Sequence, residues 1–245
     1  MAEKNLSELP RDLRELYDRG NAALQKKNFD YAIAIYNQVL TREPGFYACR
    51  EALRACQFSN AGEAKGFFKK VLGTASSSPF VAKAQFQVRS NPAEALVSCE
   101  QILNGDPNNI AAHKLLAEAA MSLDFPKTAV LSLEIAFKSH PKDKETGMRL
   151  GEALTAAKQI QRAATILTEL QKVHPHDPEI GMFIKNLAAR QTMTESGYEA
   201  LESGKGSYRD ILRNKEQATS LEQQNREVKS DDVASELIRE YQARL

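Results

Sequence analysis

Residues 129–175 read AVLSLEIAFKSHPKDKETGMRLGEALTAAKQIQRAATILTELQKVHP, and they carry one short pattern twice. The pattern is an alanine, apolar residues four and seven positions later, and a proline twelve positions later. Another copy lies a further 34 residues towards the N-terminus. Three copies in one register indicate an array of repeats. The copies are Ala95, Cys99, Ile102 and Pro107; Ala129, Leu133, Ala136 and Pro141; and Ala163, Leu167, Leu170 and Pro175.

A fourth copy, which begins at Ala32, is out of step with the other three. Ala32 precedes Ala95 by 63 residues, which is five fewer than two periods of 34. The second unit repeats the pattern two residues early, at Ala64, so the other three missing residues fall in the third unit, within residues 79–91. The array is therefore shortened in its second and third units and regular after them.

The period itself predicts the fold class. A repeat of about 34 residues is typical of helix–turn–helix units that stack into a solenoid, because each unit has an apolar face too small to form a core alone. We therefore expect an all-α solenoid over residues 10–190, with about five helical hairpins and further C-terminal helices. The predicted segments are the units 10–44, 45–76, 77–107, 108–141 and 142–175, an extra helix at 177–190, a linker or cap at 191–207 and a helical extension at 208–245.

Small residues stand where the two helices of a unit would cross, and aromatic or leucine residues follow them. Gly20, Ala32, Tyr36 and Pro44 in the first unit resemble the tetratricopeptide repeat (TPR) family in this respect, although the tryptophan common in that family is absent throughout. The resemblance implies a right-handed α-α superhelix that serves as a protein-interaction module or scaffold. The closest match to the family pattern is formed by Leu150, Gly151, Leu154, Ala163, Leu167 and Pro175.

The resemblance also implies where a ligand would bind. In TPR proteins the first helices of the units line a concave groove, and three of the chain's five methionines fall on that line. Methionine suits an adaptable binding surface. Glu118, Glu145, Glu152 and Glu179 on the same helices favour a basic or amphipathic protein or peptide partner. The candidate groove residues are Tyr17, Asn21, Lys114, Glu118, Met121, Met148, Glu152, Met182 and Asn186.

One TPR subfamily, a group of co-chaperones, is similar to this chain at Gly20-Asn21, where its asparagine helps to hold the terminal carboxylate of a peptide. The chain departs from that subfamily elsewhere. Tyr17 stands where the subfamily has lysine, and the second unit reads Tyr47-Ala48-Cys49-Arg50 where another asparagine is expected. A clamp that lacks several cations cannot neutralise a carboxylate, so we exclude this role.

The C-terminal part predicts an alternative function. Residues 230–245 begin with a serine and two aspartates, which favour a helix start, and continue with an apolar stripe at helical spacing. Leu237, Ile238 and Tyr241 in this stripe form a candidate assembly surface. The alternative to a groove-binding module is therefore a structural subunit that oligomerises, as a homo-oligomer, through this helix.

Composition excludes several classes of function. With 33 Lys+Arg against 32 Asp+Glu, the net charge of +1 gives no basic footprint for nucleic acid or an anionic membrane. No apolar run approaches the roughly 18 residues of a membrane-spanning helix, so we expect no membrane insertion. Three cysteines without a Cys-x-x-Cys motif suit a reducing compartment, and we expect a cytoplasmic protein.

Candidate metal and catalytic residues are better explained by structure. Cys49 and Cys56 lie seven residues apart on one helix face, and the resulting separation of about 10 Å is too long for a disulfide, so we expect buried packing. Cys99 occupies the large apolar position of the repeat. His140 and His174 each precede a proline one period apart, which indicates helix C-termini rather than a metal site. No nucleophile motif or phosphate loop is present, so we expect neither an enzyme nor a cofactor.

Overall fold

The structure, a computed structural model, describes residues 2–63 and 77–195. Within these residues the fold is all-α, as the repeat period predicts, with one short 3₁₀-helix, Leu6–Glu8, before the first α-helix. The α-helices in the described ranges are α1 (Arg11–Gln25), α2 (Phe29–Arg42), α3 (Tyr47–Glu63), α4 (Ser77–Ser90), α5 (Pro92–Gly105), α6 (Ile110–Ser122), α7 (Pro126–Ser139), α8 (Lys144–Ala156), α9 (Ile160–Val173) and α10 (Pro178–Glu195).

Three hairpins turn in the same way. Lys27, Asp124 and Lys158 follow the ends of α1, α6 and α8, and each has a positive φ of about 60° (57°, 62° and 60°). The next backbone N–H in each turn donates to the carbonyl five residues earlier, as from Phe125 to Ala120 at 2.8 Å. This is the Schellman arrangement, which satisfies the last carbonyls of the first helix. The turns between the two helices of these hairpins thus repeat the same backbone conformation.

Helix starts carry caps that the sequence makes recognisable. Asn91 precedes Pro92 as expected for an N-cap and a first-turn proline, and its side chain accepts a hydrogen bond from the Glu94 backbone N–H at 3.3 Å. Asn109 caps α6 in the same way, accepting from the Ala112 backbone N–H. His140 and His174 are C-cap residues of α7 and α9, in agreement with the prediction of helix C-termini.

The crossing points of the hairpins are filled as the small residues predict. A Cβ atom on Gly20 would lie 2.6 Å from the Tyr36 ring, and one on Gly151 would lie 3.1 Å from the side chain of Leu167. Ala32 and Ala163 are completely buried. Larger side chains at these positions would push the helices beyond their usual separation of roughly 8–10 Å.

The first three helices make contacts that a sequential stack would not contain. Each hairpin from α4 onward contacts the next one along the chain, whereas α2 contacts α5 and α3 contacts α7. A small cavity between α2 and α5 is lined by Leu40, Arg50 and Leu96, among others. Helices α1–α3, called the N-terminal layer below, therefore cover one side of α5 and α7.

A buried ionic cluster joins the N-terminal layer to α5. Arg50 and Arg54 on α3 bind the same Glu100 oxygen, at 2.8 and 3.1 Å, and the three residues are no more than 3% exposed. Gln57 donates to Glu100 and to the side chain of Asn104. Burial raises the pKa of the Glu100 carboxyl, but the two guanidinium groups outweigh burial and hold that pKa below its usual value. Glu100 is therefore ionised in the folded state.

The N-terminal segment ties the same layer to α7. The Glu3 carboxylate accepts hydrogen bonds from the backbone N–H groups of Lys127 and Thr128, at 3.2 and 2.7 Å. Phe125, the N-cap residue of α7, provides no side-chain cap. Glu3 thus caps a helix that begins more than 120 residues later in the sequence.

The chain divides into two compact units, Met1–Ile184 and Lys185–Leu245. Of the second unit only residues 185–195 are described, and they form the C-terminal part of α10, which continues five residues past the predicted helix end at 190. The second half of the predicted unit 45–76, most of the linker 191–207 and the extension 208–245 lie outside the described residues. The candidate assembly surface Leu237, Ile238 and Tyr241 lies outside them too.

The cysteines are packed as the sequence predicts. Cys49, Cys56 and Cys99 are free thiols with no exposed surface. Burial raises the pKa of Cys56 to about 11 and that of Cys99 to about 12. Neutral thiols in these positions act as small apolar residues of the core.

Candidate functional site

An open cavity of about 750 Å³ lies on the first-helix side of the third, fourth and fifth hairpins. Helix α4 contributes most of its wall, α6 contributes Leu115 and Glu118, and α8 contributes Arg149. The α4 residues in the wall are Ala82, Gln85, Phe86, Arg89 and Ser90. All three helices are first helices of their hairpins, the set that the TPR resemblance assigns to the groove. We call this cavity the α4–α6–α8 groove.

Phe86 gives the groove its apolar character. Its side chain is 76% exposed, the highest value among the exposed large hydrophobic residues in the described part of the chain. Ala84 and Val88, its neighbours two positions away, are buried in the hairpin, so α4 is held by one face and presents Phe86 from the other. An exposed aromatic ring next to polar side chains is typical of interface anchor residues.

Ion pairs join neighbouring first helices along the same side. Lys114 on α6 lies 2.7 Å from the Asp143 carboxylate at the start of α8, and Lys144 lies 2.6 Å from Asp177 at the start of α10. The hydrogen bond from Lys114 holds the pKa of the Asp143 carboxyl below its usual range. Asp143 and Asp177 lie one period apart, whereas the two lysines are 30 residues apart, so only the acidic partners of these pairs follow the repeat.

The predicted acidic residues are mostly paired. Arg149 binds Glu118 at 3.3 Å and Glu145 at 3.0 Å. Glu179 lies 2.7 Å from Lys144. Glu152 is exposed and makes no ion pair with any residue in the described ranges. Little of the acidic charge on these helices is therefore free to attract a basic ligand.

The predicted groove residues occupy different environments. Glu118 lines the groove, and Met121, Glu152, Met182 and Asn186 are exposed on their helices. Lys114 and Met148 are half-buried.

The two candidates from the first hairpin face its core instead. The Tyr17 ring packs against the rings of Tyr36 and Phe46, with centroids 6.0 and 4.9 Å apart. The Asn21 side-chain oxygen accepts a hydrogen bond from the Tyr36 hydroxyl at 2.8 Å. Tyr17 and Asn21 do not line the α4–α6–α8 groove.

Sequence reasoning missed Phe86 and Arg89. The groove positions follow from the 34-residue register, which is regular only in the later units. The third unit is three residues short, so its first helix cannot be aligned by that register. The helical spacing within α4 could have identified Phe86. Ala84 and Val88, four residues apart, share the buried face of the helix, and Phe86 lies on the opposite face.

A buried histidine lies on α6, the central helix of the groove. His113 has no exposed surface, and its Nε2 lies 2.9 Å from the Pro107 carbonyl oxygen. Because a carbonyl oxygen only accepts, Nε2 carries the hydrogen and donates it. Nδ1 is buried without a hydrogen-bond partner in the described structure. Burial lowers the pKa of His113 to about 4, so the ring is neutral at pH 7.

We expect His113 to make the folded state sensitive to acid. Its folded-state pKa lies below the unfolded value of about 6.5, so the unfolded chain takes up the proton first. Stability is complete above pH 6.5 and declines as the pH falls towards 4, with a loss of about 2 kcal/mol at pH 5. Denaturant unfolding of the wild type and of His113→Gln at pH 7 and pH 5 measures this loss of stability in each protein. An equal loss in both proteins would contradict the assignment.

Other functional classes find no site among the described residues. Within residues 2–63 and 77–195 no group of three or more His, Cys, Asp or Glu side chains is arranged to hold a metal ion. The His174 ring instead contacts the Lys142 carbonyl oxygen, with Nε2 at 3.1 Å. None of the helices in these ranges combines the length and the apolar character that crossing a bilayer requires.

Comparisons with known proteins agree with the hairpin geometry. The sequence model of a tetratricopeptide repeat matches residues 145–177, which contain α9 and all of α8 except its first residue. A search of curated protein sequences finds no match. One unit of the helical array is therefore similar to a tetratricopeptide repeat.

Several solved structures are similar to the chain. The first TPR of Spaghetti (RPAP3), bound to the HSP90 peptide SRMEEVD, is 16% identical over 46% of this chain and 90% of its own, with a TM-score of 0.42. The protein MamA MSR-1 C2 is 15% identical over 88% of this chain and 99% of its own, with a TM-score of 0.40. The TPR2AB domain of yeast Sti1, in complex with pHSP90, is 16% identical over 74% and 87%, with a TM-score of 0.39. These values carry no assignment of function.

Proposed function

We propose that the chain is a protein-interaction module that binds a partner segment in the α4–α6–α8 groove. The exposed Phe86 ring in the lining of a cavity of about 750 Å³ is the observation that carries the proposal. The cavity volume falls in the range of roughly 300–1,000 Å³ that binding pockets have. Rigid hairpins hold its walls in place, which reduces the conformational entropy lost on binding.

The surroundings of Phe86 favour an amphipathic partner. Ala82, Phe86 and Leu115 are the apolar residues of the lining, and Gln85, Ser90 and the charged residues are its polar part. The paired state of Glu118 and of its neighbours leaves little charge for a purely basic ligand. An amphipathic helix or an extended segment with one apolar anchor fits both parts.

We expect Phe86→Ala to weaken partner binding at least tenfold. Full burial of a phenylalanine side chain contributes about 1.5–3 kcal/mol, and 1.4 kcal/mol corresponds to a factor of ten. Dodecapeptides selected from a random phage-displayed library on the full chain provide the ligands, and fluorescence titration provides the affinities. Because Phe86 is exposed, the free energy of unfolding should change by less than about 0.5 kcal/mol.

Phe80→Ala is the matched control. Phe80 lies on the same helix and is 48% exposed, but it does not line the groove. Peptides that bind in the groove should bind Phe80→Ala as tightly as the wild type. If every selected peptide binds Phe86→Ala and the wild type equally, the groove is not the binding site. Loss of binding by truncation of residues 230–245 alone would favour the assembly alternative.

A further inference from the structure

Arg89 differs from the other charged residues of the α4–α6–α8 groove. Its guanidinium is exposed, and it makes no hydrogen bond or ion pair with any residue that the structure describes. Arg149, across the groove, is matched by Glu118 and Glu145. The groove lining therefore contains two cations and one carboxylate, and the unmatched charge belongs to Arg89.

Neighbouring acidic groups are engaged elsewhere. Glu94, the nearest acidic residue along the sequence, accepts a hydrogen bond from the Gln87 side chain at 3.0 Å, and Gln87 lies on the buried face of α4. The Ser90 hydroxyl donates to the Phe86 carbonyl oxygen. Arg89 lies in the last turn of α4, where any cation is favoured by the helix dipole. The helix dipole explains why a cation is favoured in this turn, but it does not explain why Arg89 lies next to the exposed Phe86 ring.

We infer that the partner segment carries an acidic residue next to its apolar anchor, and that Arg89 binds its carboxylate while Phe86 binds the anchor. This inference rests on the proposed function. Phe86 and Arg89 are three positions apart on one helix, a spacing that puts Cβ atoms about 5–6 Å apart on the same side of a helix. A partner helix matches this spacing with an acidic residue three or four positions from its apolar anchor. Guanidinium and carboxylate form paired hydrogen bonds, which gives the contact directional specificity.

The inference predicts the composition of selected peptides. In the same dodecapeptide library, peptides that depend on Phe86 should be enriched in Asp or Glu three or four positions from a large apolar residue. Selection on Arg89→Glu should remove that enrichment and favour Lys or Arg at the same positions. Phe86-dependent peptides without any acidic preference would overturn the inference while leaving the proposed function intact. A library that yields no Phe86-dependent peptide would contradict both.

Affinity measurements then test the contact itself. An exposed ion pair contributes up to about 1 kcal/mol. Arg89→Gln should therefore lower the affinity for a peptide that carries the acidic residue by up to about fivefold. The same substitution should leave the amide analogue of that peptide unchanged, and Arg89→Lys should restore part of the loss. The affinity of the wild type for the acidic peptide should decrease when the salt concentration is raised from about 50 to about 500 mM. The affinity of Arg89→Gln for the same peptide should not change. Equal losses for both peptides would show that Arg89 only supports α4.

Two other occupants of the groove give distinct results. If a second copy of the chain occupies it, sedimentation of the wild type should show a dimer that Phe86→Ala dissociates. If residues 196–245 occupy it, peptides should bind only after those residues are removed. Either result would overturn the inference.

Discussion

Replacing Glu100 by alanine is expected to lower the free energy of unfolding by about 3–5 kcal/mol. Glu100 is the shared partner of Arg50 and Arg54, and the three side chains are almost completely excluded from solvent. Removal of the carboxylate leaves two guanidinium groups buried without a counter-charge. The Nε atoms of both arginines already lack partners among the described residues, so the cluster has no spare acceptor. Gln57 would also lose one of its two acceptors.

Glu134→Ala is the control for this prediction. Glu134 lies one period after Glu100, on α7, and pairs with Arg162 on the surface. Its removal should change the free energy of unfolding by no more than about 1 kcal/mol. Urea unfolding followed by circular dichroism measures both variants. If Glu100→Ala and Glu134→Ala destabilise the chain equally, the buried cluster does not hold the N-terminal layer.

Replacing Tyr36 by alanine is expected to lower the free energy of unfolding by about 3–5 kcal/mol. The ring is fully buried at the crossing of α1 and α2, where it fills the space that the missing Cβ atom of Gly20 leaves. The Tyr17 ring packs against it at an interplanar angle of 47°, and the Asn21 side-chain oxygen accepts a hydrogen bond from its hydroxyl. An alanine would leave a cavity between two helices that rigid neighbours cannot close.

Two substitutions separate the contributions of the Tyr36 side chain. Tyr36→Phe keeps the ring and loses only the hydrogen bond to Asn21, so a loss of about 1 kcal/mol is expected. Tyr31→Ala removes a tyrosine from the same helix whose side chain is 54% exposed, and it should change stability by less than about 0.5 kcal/mol. Thermal unfolding of Tyr36→Ala, Tyr36→Phe and Tyr31→Ala measures their relative stabilities. A Tyr36→Ala variant as stable as Tyr31→Ala would contradict the packing of the Tyr36 ring at the crossing of α1 and α2.

The repeat pattern predicted the contacts within hairpins well. The repeat pattern and its resemblance to the TPR family placed Ala32, Gly151 and Ala163 at helix crossings, and the structure confirms that they pack there. This succeeds because a helical hairpin is a local structure, in which residues close in sequence determine the contact. The Asn91 cap of α5 is local in the same sense, since an N-cap acts on its own helix.

The packing of the N-terminal layer could not be predicted in this way. Its main contact joins Arg50 to Glu100, and a repeat template describes only neighbouring units. Arg50, Arg54 and Gln57 share one helix face, but polar residues at helical spacing ordinarily indicate a solvated surface. Only the three-dimensional arrangement shows that this face is buried.

That a groove on the first helices binds a partner stays a prediction, and of the residues predicted for it the α4–α6–α8 groove contains one. First helices do line it, and Glu118 is among its residues. Phe86 and Arg89 escaped because the shortened third unit breaks the register from which the other positions were read. Where a unit is shorter than the period, the repeat register therefore does not predict which of its side chains face the groove.

The contact between Glu3 and α7 has a consequence for how the chain would unfold. A stack held only by neighbouring units frays from its ends, because a terminal unit has one neighbour. Here the N-terminal end is attached to helices of the third and fourth hairpins through Glu100 and Glu3. Loss of the N-terminal layer would therefore expose α5 and α7 as well. Unfolding from this end should be cooperative across four hairpins rather than stepwise, unlike the melting of a linear repeat array.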